Sequence, residues 1–142
     1  MRVKSFLDTN VLVYLFDGSD PEKQRRADSV LESHDAARLV VSTQVLGEFY
    51  VTVTRKLVPP MDSASAMAAI AWISDYIVVP LDVSMVHKAI ETSRTAQLSY
   101  WDALIIEAAA SAGCDRILTE DLAAGSVLRG VLIDNPFAKD GR

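Results

Sequence analysis

The chain has 142 residues, half of them hydrophobic, enough for one domain (1–142) with a full core and no covalent staples. Its single cysteine, Cys114, excludes an internal disulfide and a cysteine metal cluster, and points to a reducing cytoplasm. A net charge of −5 argues against a domain that grips nucleic acid through a basic face alone, and no apolar run has the form of a signal peptide or the ~18 residues of a membrane span.

In chain order, residues 3–7 read as a short strand, and after the polar break Asp8-Thr9 a helix is expected over 10–16. Asp20-Pro21 opens a second helix to about residue 34, with Ala27, Val30 and Leu31 as its buried stripe. "RLVVS" is a second strand ending at Ser42. The helix over 43–57 places Val45, Leu46, Phe49, Tyr50 and Val53 at helical spacing, and Pro59-Pro60 stops it. A helix over 62–76 follows, capped by Asp62 or Ser63. "YIVVP" is a third strand, then come a helix over 83–97 and one from Ser99 through Ala112, closed by Gly113. "DRILTED" and "GVLID" supply a fourth and fifth strand, and the tail "NPFAKDGR" looks loose. Strands alternating with helices predict a three-layer α/β fold, a parallel sheet of four to five strands flanked by helices.

In such a sheet, ligands bind beyond the carboxyl ends of the strands, where strand order reverses. Asp8 follows the first strand directly, and Asp121 comes three residues after Leu118 of the fourth. Glu48 and Asp102 lie early on helices that rise from the same edge. Each acid alone has an ordinary explanation. Asp8 can cap a helix, Asp102 completes the capping box Ser99-Tyr100-Trp101-Asp102, Glu48 can sit solvated beside a packed face, and Asp121 can belong to a loop. Those explanations do not predict four acids on one edge. Carboxylates about 4 Å apart repel by about 4 kcal/mol at an effective dielectric of 20, so a cluster needs a cation or a shared proton. With no cysteine nearby, and with His34 and His87 on remote helices, oxygen-only ligation points to Mg²⁺ or Mn²⁺.

Taken together, "FLDTNVLVYLFD", Glu48 within "VSTQVLGEFYVTVTRK", and "LSYWDALIIEAAASAGCDRILTEDL" with the glycine beyond it resemble the PIN-domain ribonucleases, most closely the VapC-like toxins of bacterial type II toxin–antitoxin pairs. The likeness runs from Val3 to about Pro136. It implies a metal-dependent endoribonuclease whose catalytic and metal-binding residues are Asp8, Glu48, Asp102 and Asp121, assisted by Thr9 and Asn10, with one or two Mg²⁺ or Mn²⁺ ions as cofactors. Asp121 is preferred to its neighbour Glu120 because the family's acid stands two residues after a threonine, here Thr119. The products implied carry 5′-phosphate and 3′-hydroxyl ends. RNA as substrate, a cognate antitoxin and a homodimer, built on Phe49, Tyr50, Val53 and the helix "SASAMAAIAWI", are the implied partners.

Arg25, Arg26, Arg55 and Lys56 are candidate phosphate contacts, with a solvated helix face as the commoner role. Tyr100 and Trp101 are expected in the core rather than stacked on bases. Rival readings are a PIN-like RNA-processing nuclease, a non-catalytic RNA- or protein-binding module, and a Mg²⁺-binding phosphoacceptor domain. The last wants an acidic neighbour for Asp8 and a lysine after "GVLI", neither of which is present. A dinucleotide oxidoreductase lacks its glycine-rich turn.

Overall fold

A computed structural model describes residues 2–138 of the chain. The elements are β1 (Ser5–Leu7), α1 (Thr9–Tyr14), α2 (Pro21–Glu32), β2 (Leu39–Ser42), α3 (Thr43–Arg55), α4 (Ser63–Ile73), β3 (Ile77–Val79), α5 (Val83–Thr95), α6 (Tyr100–Ser111), β4 (Arg116–Leu118), β5 (Val127–Leu128) and β6 (Val131–Asp134). Five of the helices begin at a side-chain cap: Asp20, Ser42, Asp62, Asp82 and Ser99 each accept the N–H three residues on. That satisfies donors a helix start leaves free.

The strands form one sheet in the order β3-β2-β1-β4-β6-β5, parallel except for β5. Beginning from β1 the chain moves outward through β2 to β3, then returns to place β4 on the other side of β1. The order therefore reverses between β1 and β4, where the connections leaving the carboxyl ends of neighbouring strands run in opposite directions. Helices α1 to α4 interlock with one another, whereas α5 packs on α6, and α6 lies on β2, β4 and β6. β1 and β2 are buried along their whole length, as strands covered on both faces must be. No described helix is long and apolar enough to cross a membrane.

Several expectations are corrected. The sheet has a sixth strand, β5, paired antiparallel with β6 across a tight turn in which Arg129 (φ 52°) and Gly130 (φ 77°) are both left-handed. The turn adds to β6 a strand of two residues, too short to leave a periodicity in sequence. α1 ends at Tyr14 rather than at residue 16, because Leu15 and Phe16 donate three residues back in a tightened turn. α3 ends at Arg55, short of residue 57, and α4 at Ile73 rather than residue 76. α5 stops at Thr95, before residue 97, since Gln97 takes a left-handed conformation (φ 55°). The described part of the tail is not loose. Phe137 is buried edge-on against Tyr14, and Arg26 donates to the carbonyls of Pro136 and Ala138. The rest of that tail, residues 139–142, lies outside the described residues.

Candidate active site

Asp8 is the residue at which β1 becomes α1. Its extended backbone (φ −74°, ψ 162°) makes it the helix cap, and Oδ1 accepts the N–H of Thr9 at 2.7 Å. Its own N–H is held by the carbonyl of Leu118 in β4 at 3.1 Å, which ties it to the strand beside it. The other carboxylate oxygen, Oδ2, accepts the hydroxyl of the buried Thr119 at 2.7 Å. Capping and a place in the acidic edge therefore coexist in one side chain.

Thr119 is the hub of the arrangement. While its hydroxyl donates to Asp8, the same oxygen accepts the N–H of Asp121 at 3.0 Å and the amide of Asn10 at 3.3 Å. Asn10 also donates to Asp121 Oδ2 at 3.0 Å. On the other side Thr9 donates its hydroxyl to Glu48 Oε1 at 2.8 Å, and Gln44, one turn earlier on α3, donates to Oε2 at 3.2 Å. Asp8, Glu48 and Asp121 are thus joined through Thr9, Asn10 and Thr119 in one network.

Asp8 is 9 % exposed. Burial pushes its pKa up to about 6; the Thr119 and Thr9 donors oppose the rise, and the charges of Asp121 and Glu48 add to it. Asp102 stands apart. Its N–H donates to Ser99 Oγ at 3.0 Å, but its carboxylate makes no hydrogen bond or ion pair among the described residues, so the reciprocal half of the capping box is not formed. Glu120 turns elsewhere, to the hydroxyl of Tyr14 and to Lys23 Nζ at 2.8 Å. His34 lies at the opposite end of β1, where its Nδ1–H donates to the carbonyl of Val30 and Nε2 accepts from Ser5, and His87 is exposed on α5.

As these side chains stand, no three acidic, histidine or cysteine side chains among the described residues converge closely enough to hold one ion. Each of the three networked carboxylates is turned to a protein donor. Two features of the donor set nonetheless suit a hard divalent cation. All the ligating atoms on offer are oxygens, and the carbonyl oxygens of Asn10 and Gln44 are buried beside the carboxylates with no donor.

Thr9, Asn10, Glu48 and Asp121 of the network line an open groove of about 1000 Å³ together with the apolar Val13, Val51 and Leu57 and with Lys56 and Trp101, whereas Asp8 and Asp102 are not among its lining residues. The expectation of a core tryptophan is corrected here. Tyr100 is half-buried, but Trp101, in the first turn of α6, is 61 % exposed and lines the groove. Sequence reasoning also missed Thr119 and Gln44 as members of the network. A buried threonine closing a strand reads as core, and only its position two residues before Asp121 hinted otherwise.

An α/β sheet with acids gathered at its switch point is shared by several classes of ligand-binding domain, and the comparisons narrow it. The sequence matches the model of the PIN domain over residues 5–126, so the chain belongs to the PIN-domain family. A search of curated protein sequences finds no match. Among solved structures it is similar to a toxin–antitoxin complex from Klebsiella pneumoniae (18 % identity, TM-score 0.71, covering 94 % of this chain and 98 % of that one). It is also similar to Mycobacterium tuberculosis VapC20, described as a toxin cleaving the sarcin–ricin loop (20 %, 0.65, 80 % and 87 %). A third likeness is to DNA-bound VapBC from Salmonella typhimurium (20 %, 0.61, 94 % and 98 %). At these identities the structures share the fold.

Proposed function

We propose that this chain is a divalent-metal-dependent endoribonuclease and the toxin of a toxin–antitoxin pair. The observation that carries the reading is the single network joining Asp8, Glu48 and Asp121 at the β1/β4 switch point, beside an open groove. Those three, with the unpartnered carboxylate of Asp102 from the first turn of α6, are the proposed ligands of one or two Mg²⁺ or Mn²⁺ ions. Bound there, such an ion supplies positive charge against phosphodiester oxygens and makes water more acidic.

The chain's own residues place the reactants. Thr9 fixes the Glu48 carboxylate, Asn10 fixes that of Asp121, and Thr119 orients Asp8. The similar toxin–antitoxin complexes support an antitoxin partner, and an arginine is a fitting probe of a pocket with this much negative charge. For a homodimer the expected contact residues change. Phe49 and Val53 are buried within the chain, so the outer sides of α3 and α4, where Val51, Met67 and Trp72 are exposed, are the proposed surface.

Calorimetric titration with Mn²⁺ and Mg²⁺, on the wild type and on Asp8→Asn, tests the site, followed by Mn²⁺-dependent cutting of total RNA. Binding lost in Asp8→Asn is expected. A folded wild type that binds neither ion and cuts no RNA overturns the reading.

A further inference from the structure

The groove carries one aromatic side chain that the chemistry of cutting does not use. Trp101 sits one residue before Asp102, lines the same groove as Glu48 and Asp121, and exposes 61 % of its surface. An indole of this size is ordinarily withdrawn from water. It is also held: Tyr100 packs edge-on against it at 4.9 Å between ring centroids, with 76° between the planes.

We infer that Trp101 is a stacking platform for an unpaired base of the RNA beside the cut; the inference rests on the nuclease reading above. Charge is the second argument. Three acids, Asp17, Glu48 and Asp121, face the groove against one cation, Lys56, on a chain of net charge −5. A polyanion cannot be held there by Coulombic attraction to the protein alone. Stacking is indifferent to that repulsion and to base identity, and it requires a base that has left its duplex. Lys56, at the end of α3 and lining the same groove, is the cation available there to one phosphate of the same strand.

The chain has two tryptophans, so Trp72→Phe leaves Trp101 as the only indole reporter. In EDTA and low salt, which prevents cutting, a 12-nucleotide oligoadenylate single strand is expected to quench its emission, and a blunt RNA duplex of the same length is not. Trp101→Ala should bind the single strand roughly five- to a hundredfold more weakly, and Trp101→Phe should recover most of the loss. Three results overturn the inference: unmoved emission, equal binding by Trp101→Ala, or an emission change that tracks protein concentration or added oligoarginine peptide instead of RNA, which assigns the surface to a second copy or a basic protein partner. Because the quenching is read on a protein that retains Trp101, it does not depend on the alanine variant folding. The two readings fail separately. Stacking by a protein that cuts no RNA removes the nuclease and keeps the platform, and Mn²⁺-dependent cutting untouched by Trp101→Ala does the reverse.

Discussion

Asp8 has the most to lose from the site it occupies. With a folded pKa of about 6 against 3.8 for the free group, the folded chain binds its proton more tightly than the unfolded chain does. The stability this contributes is fully present below about pH 4 and is lost as pH rises through 6, roughly 3 kcal/mol in the metal-free protein at neutral pH. Asp8→Asn removes that titration, at the cost of a donor conflict with the Thr119 hydroxyl of about 1–2 kcal/mol. Melting in EDTA should therefore show the variant a few degrees more stable at pH 7.5 and less stable at pH 4.5. Parallel curves for the two proteins across this range would remove the argument for a strained carboxylate. Asp8 was legible in sequence because a carboxylate closing an apolar strand is unusual. Thr119 was not, since its hydroxyl acts only through the three groups that the fold brings to it. Trp101 is expected in the core because the helix it opens is apolar, whereas the fold turns it to the groove.

At the scale of elements, apolar spacing together with caps and breakers exposed the six α-helices and the five parallel strands, while a single 3-10 turn at Ala36–Arg38 was missed and the ends of the elements depended on local geometry no pattern encodes. β5 is the clearest case. It exists because Arg129 and Gly130 turn the chain back onto β6, and because the same Arg129 reaches α6, where Glu107 is only 2 % exposed. Arg129 Nε donates to Glu107 Oε2 at 2.9 Å, and Thr92 on α5 donates to the same oxygen at 2.6 Å. One buried carboxylate thus joins α5, α6 and the hairpin. Glu107 interrupts the alanine-rich run of α6, and nothing local marks its role, since its partner Arg129 is 22 residues away. Arg129→Asn keeps a residue that tolerates the left-handed conformation and deletes only the pairing. The expected loss is about 1–3 kcal/mol, less than for a fully buried pair because the arginine itself is half in solvent. Chemical denaturation measures it, and an unchanged midpoint would mean that Thr92 alone satisfies the carboxylate.

For the whole molecule, the decisive quantity is how few cations stand at the groove. Of the four candidate phosphate contacts, Arg25 and Arg26 are both paired with Glu22, and Arg26 also holds the carbonyls of Pro136 and Ala138. Arg55 and Lys56 are exposed at the end of α3, and Lys56 lines the groove. One or two cations near a single strand release one or two counterions. Without divalent ions, the affinity for single-stranded RNA should accordingly fall with salt on a log–log slope of roughly −0.7 to −1.4. Stacking on Trp101 makes up the part that salt does not touch. Mn²⁺ should then raise affinity, because an ion among Asp8, Glu48 and Asp121 offsets most of the negative charge that the bare carboxylates present to phosphate and offers it a cation to coordinate. A slope near −4 in EDTA, measured by anisotropy on a labelled oligonucleotide, would instead place the RNA on a basic surface away from the groove, and the acids and the indole would no longer belong to one binding site.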